Sequence, residues 1–294
     1  MGRIRIYLAA INDIEWLCMK IPLIYIWMIV LRDSLKDLHV IIESKGICGL
    51  LDCSVVTGEL GYWTILVFSV IFSIAYLCEF RMKWITLIVF LISIVVFSAE
   101  ESGGILKRNG TLSFLFLAQS AAYWLYNVQR KKLRFSRMQF SIQAVTVGYF
   151  LSACSKLIDS GLSWPFDGQR IALQVLKSFH YKYYTNLDTQ QLVKAIDFVE
   201  YLKGSENLII TVLMATLLLE FFALTAAINK TYARYYGFLL LLMHLGIYYF
   251  MDIFITSFAI PMAIVLINPM FLGLHLFINR PINFFIPLKR KIKK

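Results

Sequence analysis

The sequence predicts an all-α fold: a polytopic membrane bundle of about eight transmembrane helices, with short amphipathic helices on its outer surface. Three observations predict it. First, 59% of the 294 residues are apolar and only 16% are charged, with a mean hydropathy of +0.69, against roughly 45–50% and about 25% in soluble chains. A water-soluble protein of 34.0 kDa lacks the polar surface to coat that much hydrocarbon, so lipid must be the solvent for most of it. Second, the apolar residues fall in runs close to the roughly 20 residues that cross a bilayer. Third, Lys and Arg collect in alternate loops, the pattern expected when basic segments stay on the cytoplasmic side. Gly 15, Pro 6 and Cys 5 exclude the collagen-like, disordered and disulfide-dense secreted classes.

The first run, 15–31, is interrupted by Lys20 and Pro22. Cleaner runs follow at 61–78, 84–98 and 111–126, then at 138–157, 208–228, 235–251 and 253–277. Asp252, between the last two, reads as a tight turn joining antiparallel helices. Eight crossings leave both termini on one face. Taken as cytoplasmic, that face holds Arg3 and Arg5, Arg81 and Lys83, the run Arg130, Lys131, Lys132, Arg134 and Arg137, then Lys230 and Arg234, and a basic tail from Arg280 to Lys294. Only Asp13 and Glu79 oppose them there, whereas the outer loops carry an excess of acid. The net charge of +11 is therefore a topology signal and a contact for anionic lipid, so the partner is the bilayer of the cell membrane and no nucleic acid is expected.

The first run has no small-residue cleavage site and passes straight into Arg32 and Asp33, so no cleavable signal peptide is expected. The chain reads as a single domain, 1–294, with two outer segments, 32–60 and 158–207, long enough to carry structure of their own. In the second, Ala172, Val175, Leu176 and Phe179 recur at helical spacing, as do Leu192, Ile196, Val199 and Leu202. That spacing predicts two amphipathic helices lying on or capping the bundle.

An ionisable side chain inside a bilayer costs roughly 2.5–3.5 kcal/mol unless paired or hydrated, so each one needs a reason. Lys20, Lys156, Glu220 and His244 stand out. Counted along the helices from their inner ends, Lys20 lies about 8–9 Å deep, Glu220 about 12 Å and His244 about 13–14 Å. Lys20 and Glu220 are then a natural ion pair, either a salt bridge fixing helix register or the floor of a proton path. His244, in LLLLMHLGIYYF, is either satisfied by a backbone carbonyl or by Tyr248 one turn on, or belongs to a site. No second His or Cys stands beside it at metal spacing, so no metal is expected. Lys156 ends the fifth run and alone would snorkel to the outer headgroups. Ser152, Ala153, Cys154 and Ser155 around it are small enough to admit a neighbouring helix, which turns that face toward protein. A lysine desolvated there is a candidate base.

Cys48 and Cys53 share the first outer loop, where an oxidising compartment permits a disulfide. A redox-active pair is the alternative, although the spacing is not C-x-x-C. Cys18, Cys78 and Cys154 fall in spans and read as small hydrophobes. Asn109-Gly110-Thr111 matches a glycosylation acceptor. Phosphate-binding loops, zinc-protease helices and nucleophile elbows are absent from the sequence.

The segment GYFLSACSKLIDSGLSWPFDGQRIALQVL resembles the pattern of an aromatic helix, a Lys-Leu step, then a Trp and a Gly opening an outer helix that marks the HTTM superfamily, which comprises vitamin K-dependent gamma-carboxylase and its bacterial relatives. LLLEFFALTAAINKTYARYYGFLLLLMHLGIYYFMDIFITSFAIP resembles the helix pair that follows it, with a glutamate, a basic turn and a histidine. ESGGILKRNGTLSFLFL is similar to the Gly-rich outer turn of the first half. The resemblance implies that Lys156 is a base and that His244 belongs to the active site, with Trp164 and Gly168 lining it beside Ser152 and Ser155. It implies a quinone or hydroquinone cofactor. Three extra residues separate the lysine from Trp164, one more lies between Trp164 and Gly168, a further family histidine is not found near Gly110, and no segment matches the carboxylase's large outer domain. In size the chain looks more similar to the HTTM-type membrane subunit of sporulation-delaying-peptide maturation systems, which also has cysteines in its first outer loop.

The resemblance therefore implies a membrane protein that matures or modifies a secreted peptide at the outer face, with a partner protein and an outward cavity roofed by residues 164–183. Two other classes compete with it. In a transport or immunity protein, Lys20, Glu220 and His244 would line a polar path, although inverted repeats and Gly-broken helices are not evident. In a non-catalytic scaffold, the polar groups would only lock helices together.

Overall fold

Helix α2 (Glu59–Leu77) shows most plainly which solvent the chain is built for. It buries Ser69, Ser73 and Tyr76 while exposing Trp63, Val67, Phe68, Val70, Ile71 and Ile74. In water each Å² of apolar surface left out would forfeit about 25 cal/mol. In hydrocarbon the arrangement is the favourable one, because there only the polar groups need protein around them. Ser73 Oγ donates to Ser69 O at 2.7 Å, and Tyr76 Oη donates to Gln119 Oε1 at 2.9 Å. Gln119 Nε2 continues to Ser141 Oγ at 3.2 Å, so three helices share one satisfied polar thread through a greasy interior.

The structure, a computed structural model, describes residues 2–38, 43–103, 109–126, 128–166, 189–251 and 256–277, with isolated positions between 172 and 187. Among these the chain is helical and contains no strand. Before α2 comes α1 (Gly2–Asp37), and after it α3 (Met82–Ser102), α4 (Gly110–Tyr126) and α5 (Arg130–Ser160). After an outer segment come α6 (Thr189–Gly204), α7 (Glu206–Phe221), α8 (Lys230–Met251), α9 (Thr256–Met262) and α10 (Pro269–Phe277). Among the described residues, five stretches are long and apolar enough to cross a membrane: Ile11–Lys36, Glu59–Leu77, Met82–Ser102, Lys132–Phe166 and Glu206–Ile228.

Pro22 does not end α1, which runs unbroken through the core with Trp16, Met19, Leu23, Trp27 and Leu31 almost wholly buried. Trp27 Nε1 donates to Ser93 Oγ at 2.7 Å, and its ring meets Phe116 edge-on at 5.9 Å. Helix α5 lies centrally, touching α1, α4, α7, the 3-10 segment Phe222–Ile228 that continues α7, and the π-helical turn Ala263–Ile267.

Two expectations from the sequence are corrected. The run 253–277 is not one helix: α9 passes into the π-helical turn Ala263–Ile267 and stops at Asn268, whose φ is 55°. Pro269 disfavours helix at the residue before it and Asn tolerates the left-handed region, so the chain breaks there and restarts as α10. Residues 256–267 reach about 18 Å, short of the roughly 30 Å hydrocarbon core. The second correction concerns the outer segment. Val199 and Leu202 do pack with Ala172, Val175 and Ile209, flanked by Leu176 and Phe179, but Ile196 stays exposed. The expected turn at Asp252 and the side chain of Leu192 lie outside the described residues.

Candidate functional site

Helices α5 and α7 run antiparallel, with Gln139 donating to the Ala227 carbonyl near one end and the Phe150 and Phe221 rings 5.3 Å apart further along. Side chains on a helix lean toward its N-terminus, so Lys156 on α5 and Glu220 on α7 lean toward each other. They meet as an ion pair, Nζ to Oε2 2.5 Å, with side chains 23% and 7% exposed. The Trp164 ring covers the ammonium at 4.8 Å. It is placed there by the 3-10 turn Gly161–Phe166, which leaves α5 at Gly161 with φ 62° and ψ −158°, a conformation that side-chain-bearing residues avoid.

Two turns before Lys156, Tyr149 shares its helix face. Its hydroxyl is 2.7 Å from His244 Nε2 on α8, both groups are buried, and the tautomer of the imidazole decides which one donates. Phe258 of α9 packs on both rings, with centroids 4.5 Å from Tyr149 and 6.0 Å from His244. The Lys156–Glu220 ion pair and the Tyr149–His244 hydrogen bond are thus two polar contacts made from one face of α5 among apolar helices.

The expected Lys20–Glu220 pair is not formed. Lys20 Nζ donates to the Leu77 carbonyl at 2.8 Å and to Glu79 Oε1 at 3.0 Å. The end of α2 offers a bare carbonyl and a carboxylate together, and a cation is favoured at a helix C-terminus. Lys20, Glu220 and His244 therefore do not make one polar layer. His244 is satisfied by Tyr149 rather than by Tyr248. Ser152 is half-buried, while Ser155 is exposed and donates to Asp159 at 3.1 Å. Gly168 lies outside the described residues. The Lys156 nitrogen has Glu220 on one side and the Trp164 ring on another. Among the described residues no group of three or more His, Cys, Asp or Glu could hold a metal.

The end of the bundle at residues 34–60 and 98–109 is tied separately. Cys48 and Cys53 form a disulfide, packed on Leu38, Val56 and Ala99. Asp52 caps the turn Cys53–Val56 by accepting from Ser54 N at 2.9 Å, and that backbone hydrogen bond holds its carboxyl below the usual range. Asn109 is no glycosylation acceptor in this fold. It is buried, and its amide donates to Glu100 Oε2 at 3.1 Å, which also accepts from Ser34 Oγ at 2.7 Å.

The opposite, basic end carries a charge network that the sequence reading did not assemble. Glu79, in a left-handed turn with φ 55°, accepts from Lys20 and from Trp16 Nε1, and lies 3.5 Å from Arg137 Nη1. Burial pushes the Glu79 carboxyl up, but the hydrogen bond and charge of Lys20, with Arg137 and Trp16, outweigh it and hold the group below its ordinary value. Arg137 also binds Asp13 at 2.7 Å, and buried Glu15 is held by Lys230 at 2.5 Å and Arg234 at 2.8 Å. Asn268 Nδ2 donates to the Glu15 carbonyl at 2.8 Å, fixing the break before α10.

No protein-family model matches the chain, and neither a curated protein nor a solved structure does.

Proposed function

We propose that this chain is an HTTM-type integral membrane protein, with its N-terminus cytoplasmic, that matures or modifies a secreted peptide at the outer membrane face. One observation carries the reading: the Lys156–Glu220 pair, 2.5 Å apart beneath Trp164 and beside the Tyr149–His244 hydrogen bond. An ion pair in a low-dielectric site is a proton-transfer device. If the ammonium gives its proton to the carboxylate, the result is a neutral amine beside a neutral acid, free of the cost of two buried charges. The amine then acts as base on the peptide, Glu220 stores the proton, and Tyr149 and His244 pass or accept a second one. The resemblance of residues 148–176 and 217–261 to the HTTM pattern supports the same assignment of Lys156 and His244.

The test compares wild type with Lys156→Met and Glu220→Gln in cells of the native host, reading the mass spectrum of secreted peptides at matched membrane levels of the protein. A peptide whose mass or processing depends on wild type is expected to revert in both variants. Secreted peptides unchanged in Lys156→Met would overturn the base assignment and leave the pair a helix lock.

A further inference from the structure

We propose that the cavity at the basic end of the bundle binds a phosphate-bearing anion, in the form of an anionic phospholipid headgroup. The cavity measures 840 Å³ and lies where α1, α3, α4 and α5 converge. Arg81, Lys83, Arg134 and Arg137 line it, with Trp84 and Tyr123. Its two acids are already covered. Asp13 is held by Arg137 at 2.7 Å and Arg134 at 3.4 Å, and Glu79 by Lys20 at 3.0 Å and Arg137 at 3.5 Å.

Arg81 and Lys83 are left without a carboxylate among the described residues. Their cationic groups rest on rings instead: Arg81 over Phe80 at 5.6 Å, and Lys83 over Trp124 at 4.8 Å and Trp84 at 5.7 Å. Behind them Arg137 is nine-tenths buried, with its guanidinium over the Trp16 ring at 4.7 Å and bound to Asp13. Guanidinium and ammonium groups left uncovered around one hollow present donors that match the several oxygens of a phosphate.

The lipid form of that anion is favoured by the lining and the place. Leu17 and Leu133 give the cavity an apolar wall. The Trp84–Trp124 pair, 4.9 Å apart and edge-on, is of the type that anchors proteins at headgroup level. A basic pocket between spanning helices is a known way to hold an anionic headgroup.

The experiment is native mass spectrometry of the delipidated full-length protein in detergent, titrated with phosphatidylglycerol, with phosphatidylcholine, and separately with inorganic phosphate. Wild type is expected to prefer phosphatidylglycerol by at least about tenfold, and R81Q/K83Q to lose the preference while Lys36→Gln, at the other end of α1, keeps it. Displacement of phosphatidylglycerol by millimolar phosphate would support the site and assign it to a soluble phosphate. Equal binding of the two lipids with no phosphate effect would overturn the proposal, as would a preference that survives R81Q/K83Q. If that variant does not fold, the single variants Arg81→Gln and Lys83→Gln decide, and a preference unchanged in both would sink the site.

Discussion

Replacing Lys156 by Met keeps an unbranched apolar stem, one atom shorter, and removes the charge. Glu220, with 7% of its side chain exposed, then stays in the bundle without that ammonium. Removing one member of a buried pair costs about 3–5 kcal/mol. The 23% exposure of the Lys156 side chain lets water screen part of the interaction, which places the cost at about 3 kcal/mol. At roughly 2 °C per kcal/mol for a chain of this size, Tm falls by about 6 °C. The double variant Lys156→Met/Glu220→Met is the deciding member of the cycle. With both charges gone, two apolar side chains of similar volume meet, and Tm is expected to return to within about 2 °C of wild type. The assay is thermal unfolding in one fixed detergent, followed by intrinsic tryptophan fluorescence. A Lys156→Met protein that melts with wild type, or a double variant whose loss equals the sum of the two single losses, would refute the pairing.

Two further perturbations probe other levels of the bundle. Glu79 has a folded-state pKa held below its ordinary value, so it contributes stability that is fully present above about pH 4.3 and is lost as pH falls through the lower folded value. Wild type is therefore expected to lose Tm more steeply than Glu79→Gln between pH 5 and pH 3, and parallel pH profiles would remove the basis for this claim. Gly237→Ala on α8 would put a Cβ 2.7 Å from Ile267 Cγ1 and 2.8 Å from Leu266 Cβ. The overpacking, about 1–3 kcal/mol, exceeds the gain of about 1 kcal/mol in helix propensity. Gly246→Ala, with nothing within 4 Å, is expected to gain stability instead, so that melts of the two variants shift in opposite directions.

Much of the fold was legible because lipid imposes a simple rule on composition. Runs at 61–78, 84–98, 111–126 and 138–157 correspond to α2, α3, α4 and α5, with ends extended by a few polar residues that continue the helix past the apolar stretch. The run 253–277 failed for a local reason. Hydropathy is blind to backbone conformation, and Asn268-Pro269 breaks the helix without adding a charge. Asn109 failed for the opposite reason: a three-residue motif reports what a side chain could accept at a surface, whereas Glu100, nine residues earlier, draws it inside.

The candidate site was half legible, and the missing half follows from treating depth as a property of Cα atoms. From the Gln139–Ala227 contact, Lys156 lies about 25 Å along α5, while Glu220 lies only about 10–14 Å along the opposite chain. On axial arithmetic alone the two are more than 10 Å out of register, and Lys20 looks like the better partner. The correction comes from direction. On antiparallel helices each side chain leans toward its own N-terminus, so a lysine set high and a glutamate set low converge, and two long side chains close the gap. Lys20, midway along α1, leans toward the N-terminus of its own helix and finds the Leu77 carbonyl and Glu79 instead. Tyr149 was visible by the same geometry, seven residues before Lys156 and on its face. For ionisable residues in spanning helices, the level to compare is that of the charged atom, displaced from its Cα toward the helix start. On that scale Lys156 and Glu220 are neighbours, and their pairing follows from helix orientation as much as from residue identity.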